Sequence, residues 1–237
     1  MELAEKFKEI ERQIAEAAQK AGRSADEITL LAATKTKDAE TVREAIACGV
    51  KAAGENRVQE LTEKLAQNAY EGAALHFIGH LQTNKVRQVA GKVVLIHSVD
   101  SLKLAQEVSR TMQQLSGLAA SVQFQDILVE VNIGGELSKS GVEPQGLKPL
   151  LEEIAKLPGL RIAGLMCIPP RAETSDEARR CFARMKALYD QTEPYFSKEI
   201  PHVLSMGMSG DYQEAILEGS TLVRVGTALF GPRAYIQ

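Results

Sequence analysis

The sequence predicts an α/β fold in which eight parallel strands and their helices close into a (β/α)₈ barrel. Eight short apolar runs occur between residues 28 and 230, and amphipathic stretches separate them. The runs are almost continuously apolar, which is typical of parallel strands buried on both faces. Eight strand–helix units are the number that closes such a barrel. The runs span residues 28–34, 51–56, 75–81, 93–99, 126–133, 161–168, 202–209 and 222–230.

The alternative architecture is an open, doubly wound sheet. That fold usually has fewer strands and carries a glycine fingerprint after the first one. No G-x-G-x-x-G motif occurs in this sequence, nor do internal repeats or linker-like segments. We therefore expect a single domain over residues 1–237.

The first predicted element is a helix of about five turns, within residues 1–22, that covers the barrel from outside. Its apolar residues recur at helical spacing, at Leu3, Phe7, Ile10 and Ile14. Gly22 follows where a C-terminal cap is expected. A second helix is predicted to begin after a capping Asp38 and to end at Gly49.

Two later segments also have helical patterns. Residues 144–159 carry a stripe of leucine and isoleucine and stop at a Pro-Gly pair. Residues 175–196 place apolar side chains on one face, at Phe182, Met185, Leu188 and Tyr189. Helices at these positions fit the strand–helix alternation of a barrel.

Composition limits the function classes. The net charge of −3 gives no reason to expect a nucleic-acid or membrane partner. The sequence lacks a signal-peptide pattern and any apolar stretch near the roughly 20 residues that span a bilayer. Three cysteines without metal-ligand spacing predict a cytoplasmic, reduced protein with no metal site.

In a barrel, functional groups lie at the C-terminal ends of the strands, and phosphate often binds after strands seven and eight. This rule selects polar and sulfur-containing residues that are far apart in the sequence. They are Lys35, Asn56, His80, Asn132, Met166, Ser209 and the segment Arg224-Val225-Gly226-Thr227. We expect them on one rim.

Lys35 ends the first apolar run. A lysine at this position is partly desolvated, which favours the neutral amine that attacks an aldehyde to form a Schiff base. The alternative is a lysine that only extends its amine into water. Ser209-Gly210 and Gly226-Thr227 add small residues with accessible backbone amides, which suit a phosphate dianion. Together these features suggest a phosphorylated aldehyde as ligand.

Arg224 shares this rim, and an arginine inside a barrel is costly unless it is paired. One interpretation is a structural salt bridge with Glu130 or Glu55. The other is a donor to a ring nitrogen, since an aspartate or arginine often tunes pyridoxal 5′-phosphate (PLP) at that atom.

Seven motifs carry a resemblance to a known family. They are "LLAATKTK", "GENRVQE", "HFIGHLQTNK", "VNIGGELSKSG", "GLMCIPP", "LSMGMSGDYQEAI" and "VRVGTALFG", in order between about residues 28 and 231. The chain thereby resembles the pyridoxal phosphate homeostasis proteins (YggS/PROSC type). The resemblance implies a single TIM barrel of the PLP fold type III kind, similar to the N-terminal domain of alanine racemase. It also implies a role in vitamin B6 and amino-acid balance without established catalytic activity.

Carried over to this sequence, the resemblance makes Lys35 the Schiff-base lysine and Arg224 the partner of the pyridine nitrogen. It assigns Ser209, Gly226 and Thr227 to the phosphate. Around the cofactor it implies Asn56 and Met206, and additionally His80 and Met166. Four positions depart from the usual pattern: Thr34 and Asp38 flank the lysine motif, Arg57 replaces a frequent tyrosine, and Gly210 replaces a frequent aspartate.

The sequence favours a cofactor carrier over an enzyme. Alanine racemases use a tyrosine from a second, β-rich domain as their second base, and we expect no such C-terminal domain here. None of the five tyrosines falls on a predicted strand end. We expect a monomer that passes PLP to apo-enzymes. The alternatives are a small PLP-dependent racemase or lyase, or a lysine-dependent sugar-phosphate aldolase.

Lys139 lies in a polar loop, residues 134–144, after the fifth apolar run. We expect this loop on the same rim as Lys35. Lys139 is either a solvated loop lysine or a group that transiently captures the aldehyde on its way in or out.

Overall fold

The computed structural model describes residues 2–117, 123–136 and 139–232. Its centre is a closed barrel of eight parallel strands in sequence order, in which the eighth strand pairs with the first. This confirms the predicted (β/α)₈ fold. The strands are β1 (Thr29–Ala33), β2 (Ala52–Glu55), β3 (Ala74–Phe77), β4 (Leu95–Val99), β5 (Gln125–Val131), β6 (Leu160–Cys167), β7 (Val203–Met208) and β8 (Leu222–Val225).

Helices surround the barrel and connect its strands. They are α1 (Leu3–Lys20), α2 (Ala39–Ala47), α3 (Val58–Ala66), α4 (Leu102–Ser116), α5 (Leu147–Ile154), α6 (Ser175–Thr192), α7 (Tyr212–Leu217) and α8 (Thr227–Phe230). Between β3 and β4 the connection is a 3₁₀ helix, Thr83–Gln88. Shorter 3₁₀ turns occur at Ala25–Glu27, Pro144–Gly146 and Glu193–Tyr195.

The helix ends follow the capping residues seen in the sequence. The Asp38 carboxylate accepts a hydrogen bond of 2.8 Å from the Thr41 amide at the start of α2. After α1, Gly22 adopts a φ of 71°, a conformation that glycine enters without a steric penalty. The Gly22 and Arg23 amides then bond back to the carbonyls of Gln19 and Ala18. Both predicted boundaries are therefore confirmed, and the second has the bonding pattern of a Schellman cap.

Helix α1 packs on the outside of the barrel where β8 meets β1. Its buried residues Phe7, Ile10 and Ile14 share one hydrophobic cluster with Ile216 of α7 and Val223 of β8. A hydrophobic cluster of this kind withdraws the apolar stripe of α1 from water, which is the main driving force for its docking.

In two of the apolar runs, the strand covers only the first part of the run that the sequence predicted to be a strand. The run 75–81 leaves the sheet after Phe77, and the run 222–230 divides into β8 and the short helix α8. In the second case Leu229 packs in the cluster under α1, so it is apolar because a helix buries it. An apolar run alone does not separate these two situations.

In the part of the chain that the structure describes, no helix is long and apolar enough to cross a membrane. Each of the three cysteines, Cys48, Cys167 and Cys181, is a free thiol.

Candidate functional site

A cavity of 530 Å³ opens at the C-terminal ends of the strands. This volume lies within the range of about 300–1,000 Å³ that is usual for small-molecule sites. Residues that are far apart in the sequence, from the end of β1 to the start of α8, meet there. The lining includes Lys35, Asn56, His80, Lys139, Ser209, Arg224, Gly226 and Thr227. The structure thus brings together eight residues that sequence analysis selected.

Lys35 lies two residues after the end of β1, is half-buried, and lines the cavity. It belongs to a short turn, residues 34–37, which we call the lysine loop. Thr36 in this loop has a φ of 64°. Its amide donates a 2.7 Å hydrogen bond to Glu60 Oε2. The position of Lys35 therefore depends on a turn that helix α3 contacts.

Arg224 is 5% exposed and reaches the cavity from β8. Its Nη1 donates to the Ser205 carbonyl at 3.0 Å and to Ser205 Oγ at 2.6 Å. Its Nη2 donates to the Cys167 carbonyl at 2.9 Å. All three acceptors are uncharged, and within residues 2–117, 123–136 and 139–232 Arg224 forms no ion pair with a carboxylate. The salt-bridge interpretation is therefore wrong for this arginine.

The two glutamates considered as its partners have other environments. Glu55 pairs with Lys64 at 2.6 Å, away from the cavity. Glu130 lines the cavity, where burial and the charge of Asp100 raise its pKa to about 7 although the Arg224 charge opposes this. Sequence analysis missed Glu130 as a cavity residue. The signal was its position two residues after the inward-facing Leu128, since alternate strand residues share a face.

Asn56 provides a test of whether the cavity fits a polar ligand. Its Oδ1 atom is buried and has no hydrogen-bond partner within the described residues. Buried polar groups are nearly always paired, so an unpaired one needs a partner from outside the chain. A ligand with a hydrogen-bond donor in the cavity would satisfy it.

At the opposite wall, Ser209 Oγ accepts hydrogen bonds from the Gly226 amide at 3.0 Å and the Ala228 amide at 3.2 Å. The Gly226 amide is therefore not open in the way the sequence suggested, because Ser209 occupies it. The Ser209 hydroxyl proton remains as a donor. Beside it, a Cβ placed on Gly210 would meet no atom within 4 Å, so this wall has room.

A neighbouring groove of 310 Å³ between α1 and α7 shares Ser209 but is lined by the carboxylates of Glu9, Asp211 and Glu214. Such a lining disfavours a phosphate. The cavity with Lys35 and Arg224 is the better anion site.

The two methionines of the predicted pocket lie elsewhere. Met206 is fully buried in the cluster between the sheet and the outer helices, together with Leu204. Met166 lies in an inner cluster of the barrel with Leu95, Leu128 and Ala163. Neither is among the residues that line the cavity, whereas Met208, two positions after Met206, is. The register of the β7–β8 pairing shifts between Ser205 and Met208, which breaks the strand alternation, so Met206 faces the outer helices although Met208 reaches the cavity.

The loop after β5 approaches the cavity as expected, although its residues 137 and 138 lie outside the described residues. Lys139 Nζ pairs with Glu136 Oε1 at 3.0 Å and donates to the Pro169 carbonyl at 3.0 Å. His80 contacts Ser140 Oγ at 3.2 Å. Asn132 donates to the Glu136 carbonyl at 2.9 Å, so it holds this loop in place and is not part of the cavity lining.

Two histidines inside the barrel form a chain that leads to Arg224. His76 Nδ1 and His97 Nε2 are 2.9 Å apart, and His97 Nδ1 lies 3.1 Å from Ser205 Oγ. Because Arg224 donates to Ser205 Oγ, the serine proton is available to His97, which then acts as acceptor. Burial lowers the pKa of His76 to about 4 and also lowers that of His97. Both histidines are therefore neutral core residues.

The comparisons with known proteins agree with this geometry. The family model for the N-terminal domain of alanine racemase matches residues 7–234. A protein of Aquifex aeolicus named pyridoxal phosphate homeostasis protein is 43% identical over 99% of this chain and 100% of its own length. The chain belongs to the pyridoxal phosphate homeostasis protein family. A relative in Pseudomonas aeruginosa with the same name is 44% identical over 98% of this chain and 96% of its own length.

Two solved structures have the same barrel. PipY of Synechococcus elongatus, solved with PLP bound, is 31% identical, with a TM-score of 0.81 over 97% of this chain and 100% of its own. Alanine racemase of Corynebacterium glutamicum has a TM-score of 0.69 at 16% identity, over 96% of this chain and 63% of that enzyme. The latter similarity establishes a shared fold.

Proposed function

We propose that this chain binds PLP through Lys35, and that it holds and exchanges the cofactor in intracellular PLP and amino-acid homeostasis without catalytic turnover. The observation that supports this best is one cavity that combines a strand-end lysine with a buried arginine and a buried asparagine oxygen. Among the described residues the arginine has no carboxylate partner and the asparagine oxygen has no hydrogen-bond donor. The relatives named as homeostasis proteins and the PLP-bound PipY structure support the same ligand.

Bound PLP supplies an aldehyde, to which the Lys35 amine adds so that an N–C bond forms and the aldehyde oxygen leaves as water. In this proposal Arg224 donates to the pyridine nitrogen. A guanidinium stays protonated in proteins, so the nitrogen would remain neutral and the ring would be a weak electron sink. Ser209, through its hydroxyl proton, and Thr227 would hold the phosphate, with Gly226 beside them as a residue whose amide already donates to Ser209 Oγ. Asn56 would contact the ring substituents.

A carrier role is favoured because no described tyrosine lines the cavity. Tyr70 donates to Glu55, Tyr195 to Glu152 and Tyr212 to Gln13. Tyr189 packs against Phe196, and Tyr235 lies outside the described residues. Tyrosine is the residue that the racemase reaction would need on the second face.

One observation favours the second candidate function, a small PLP-dependent racemase or lyase. Glu130 lines the cavity with a pKa of about 7, which suits a general base at neutral pH. This function predicts exchange of the α-proton of added amino acids in deuterated water, measured by NMR. Exchange that disappears in Glu130→Gln would support an enzyme, and no exchange in the PLP-loaded protein supports a carrier.

The main proposal is tested by incubation with PLP, borohydride reduction and peptide mass mapping. We expect a phosphopyridoxyl group on Lys35 and its loss in Lys35→Ala. Lys37→Ala is the matched control, because Lys37 lies two residues away, contacts Phe230, and is not part of the cavity lining. An unmodified Lys35 at excess PLP would contradict the proposal.

We further propose that Lys139 captures PLP transiently during transfer to apo-enzymes. Its place in the cavity lining, on the side of the β5 loop, supports this role. Lys139→Ala should slow transfer to a PLP-requiring apo-enzyme and leave equilibrium binding intact; an unchanged transfer rate would refute it.

The cytoplasmic location and the monomeric state stay predictions of the sequence.

A further inference from the structure

The lysine loop has a conformation that its own sequence does not favour. Thr36 has a φ of 64°, in the left-handed region that β-branched residues rarely enter. Such a residue persists only when its surroundings hold it in place. The groups that hold Thr36 and its neighbours therefore determine where Lys35 points.

Three side chains outside the cavity hold the loop on both sides of Lys35. Glu60 Oε2 accepts from the Thr36 amide at 2.7 Å. Lys64 Nζ donates to the Thr34 carbonyl at 2.9 Å. Glu55 Oε1 accepts from Thr34 Oγ1 at 2.6 Å. The peptide groups that flank Lys35 are thus bonded to charged groups, and such bonds are stronger than neutral ones.

These charged groups also hold one another. Lys64 Nζ lies 2.6 Å from Glu55 Oε1 and 3.7 Å from Glu60 Oε2. Glu55 is fully buried and also accepts a 3.0 Å hydrogen bond from the Tyr70 hydroxyl. All three donors, from Thr34, Lys64 and Tyr70, bond to Glu55 Oε1, whereas Glu55 Oε2 is buried without a partner among the described residues. Buried hydrogen bonds to a charged group are strong, so those at Oε1 can impose a conformation on the loop.

Two of the three charged groups belong to α3, the helix that starts two residues after Asn56. Asn56 lines the cavity, whereas Glu60 and Lys64 do not. One helix therefore connects the loop of Lys35 with Asn56.

We propose that Glu60 and Lys64 are positioning residues, through which helix α3 aims the Lys35 amine into the cavity. This inference rests on the proposed PLP binding at Lys35. Small displacements of a reacting group cost much of the advantage of a preformed site. Loss of the contact to Thr36 should therefore impair bond formation at Lys35 more than it impairs binding of the ring and phosphate.

The test compares three variants of α3. Glu60→Ala removes the acceptor for the Thr36 amide, and Glu60→Gln removes the charge but keeps an acceptor. Glu63→Ala is the matched control, because Glu63 is on the same helix and pairs with Gln59. Glu60 is the better site to vary, since removal of Lys64 would leave the buried Glu55 carboxylate without a cation.

Two ligands separate positioning from general damage. PLP forms a bond with Lys35, whereas pyridoxine 5′-phosphate has the same ring and phosphate but no aldehyde. We expect Glu60→Ala to slow Schiff-base formation by about ten-fold, the effect of one charged hydrogen bond. Binding of pyridoxine 5′-phosphate should stay at the wild-type level. Glu60→Gln should recover most of the rate, and Glu63→Ala should match the wild type.

Each other outcome has a distinct meaning. An unchanged rate in Glu60→Ala overturns the positioning role and leaves the proposed function intact. An equal loss for both ligands also overturns it, because the whole pocket would then be affected. A wild-type protein that forms no bond at Lys35 overturns the proposed function itself.

Discussion

Lys64 and Arg224 are both about 5% exposed, yet the two buried cations have different partners. Lys64, on helix α3, lies 2.6 Å from the carboxylate of Glu55. Arg224, inside the barrel, donates to uncharged oxygens of Ser205 and Cys167. A buried charge without a counter-charge is expensive, and a fold keeps one only where something else compensates. The charge of Lys64 is neutralised within the chain, whereas the charge of Arg224 would be compensated by an anionic or electron-rich ligand.

The largest expected effect concerns the buried ion pair of Lys64 and Glu55. Lys64→Met leaves the buried Glu55 carboxylate unpaired and should lower the free energy of unfolding by about 3–5 kcal/mol. Urea denaturation measures this. The double variant Lys64→Met/Glu55→Gln removes both charges and should recover much of the loss. If the double variant were as unstable as the single one, the pairing would not be the cause.

The second prediction contrasts Arg224 with Lys64. Arg224→Met leaves no carboxylate unpaired, so it should change the free energy of unfolding of the ligand-free protein by only about 1 kcal/mol. It should weaken PLP binding by about ten-fold or more, because a charged hydrogen bond to the ligand is lost. Titration calorimetry and urea denaturation check the two parts. A destabilisation equal to that of Lys64→Met would show that the Arg224 charge is needed for folding.

The third prediction concerns Glu130, the carboxyl group across the cavity. Its pKa in the folded protein is about 7, against 4.5 in the unfolded chain. Between these pH values the folded state holds more protons than the unfolded state, so stability falls as the pH rises. Glu130→Gln lacks the titrating group, so this decrease is absent from the variant. Its free energy of unfolding, relative to the wild type, should therefore be about 2–3 kcal/mol more favourable above pH 7 than at pH 4.5.

The comparison with wild type at each pH isolates this effect. His76, whose pKa is lowered to about 4 by burial, gives a slope of the opposite sign that is common to both proteins. Glu143→Gln, which changes an exposed carboxylate, is the control and should show no such difference. A pH profile of Glu130→Gln parallel to the wild type would contradict the prediction.

The smallest expected effect is at Asn56. Asn56→Leu removes a buried oxygen that has no hydrogen-bond partner in the described part of the chain, so it should leave the free energy of unfolding within about 1 kcal/mol of the wild type. PLP binding should weaken several-fold, since the ligand loses its acceptor. A clear loss of stability would mean that Asn56 is already satisfied in the ligand-free protein.

The fold and about half of the cavity lining could be predicted from the sequence. Apolar runs and capping residues such as Asp38 and Gly22 are local signals, and the barrel rule then places every strand end on one rim. Lys35, Ser209 and Arg224 were found in this way. Met206 was placed incorrectly because a motif match fixes the position in the chain and not the face of the strand.

Sequence alone determined the barrel, its capped helices and the family to which the chain belongs, because these depend on periodicity and on ordered motifs. Only the tertiary structure decided which charges meet. It paired Glu55 with Lys64, left Arg224 without a carboxylate among the described residues, and brought Glu130 into the cavity. Such pairings depend on distances of a few ångströms between side chains from different strands and helices, and no local pattern in the sequence encodes those distances.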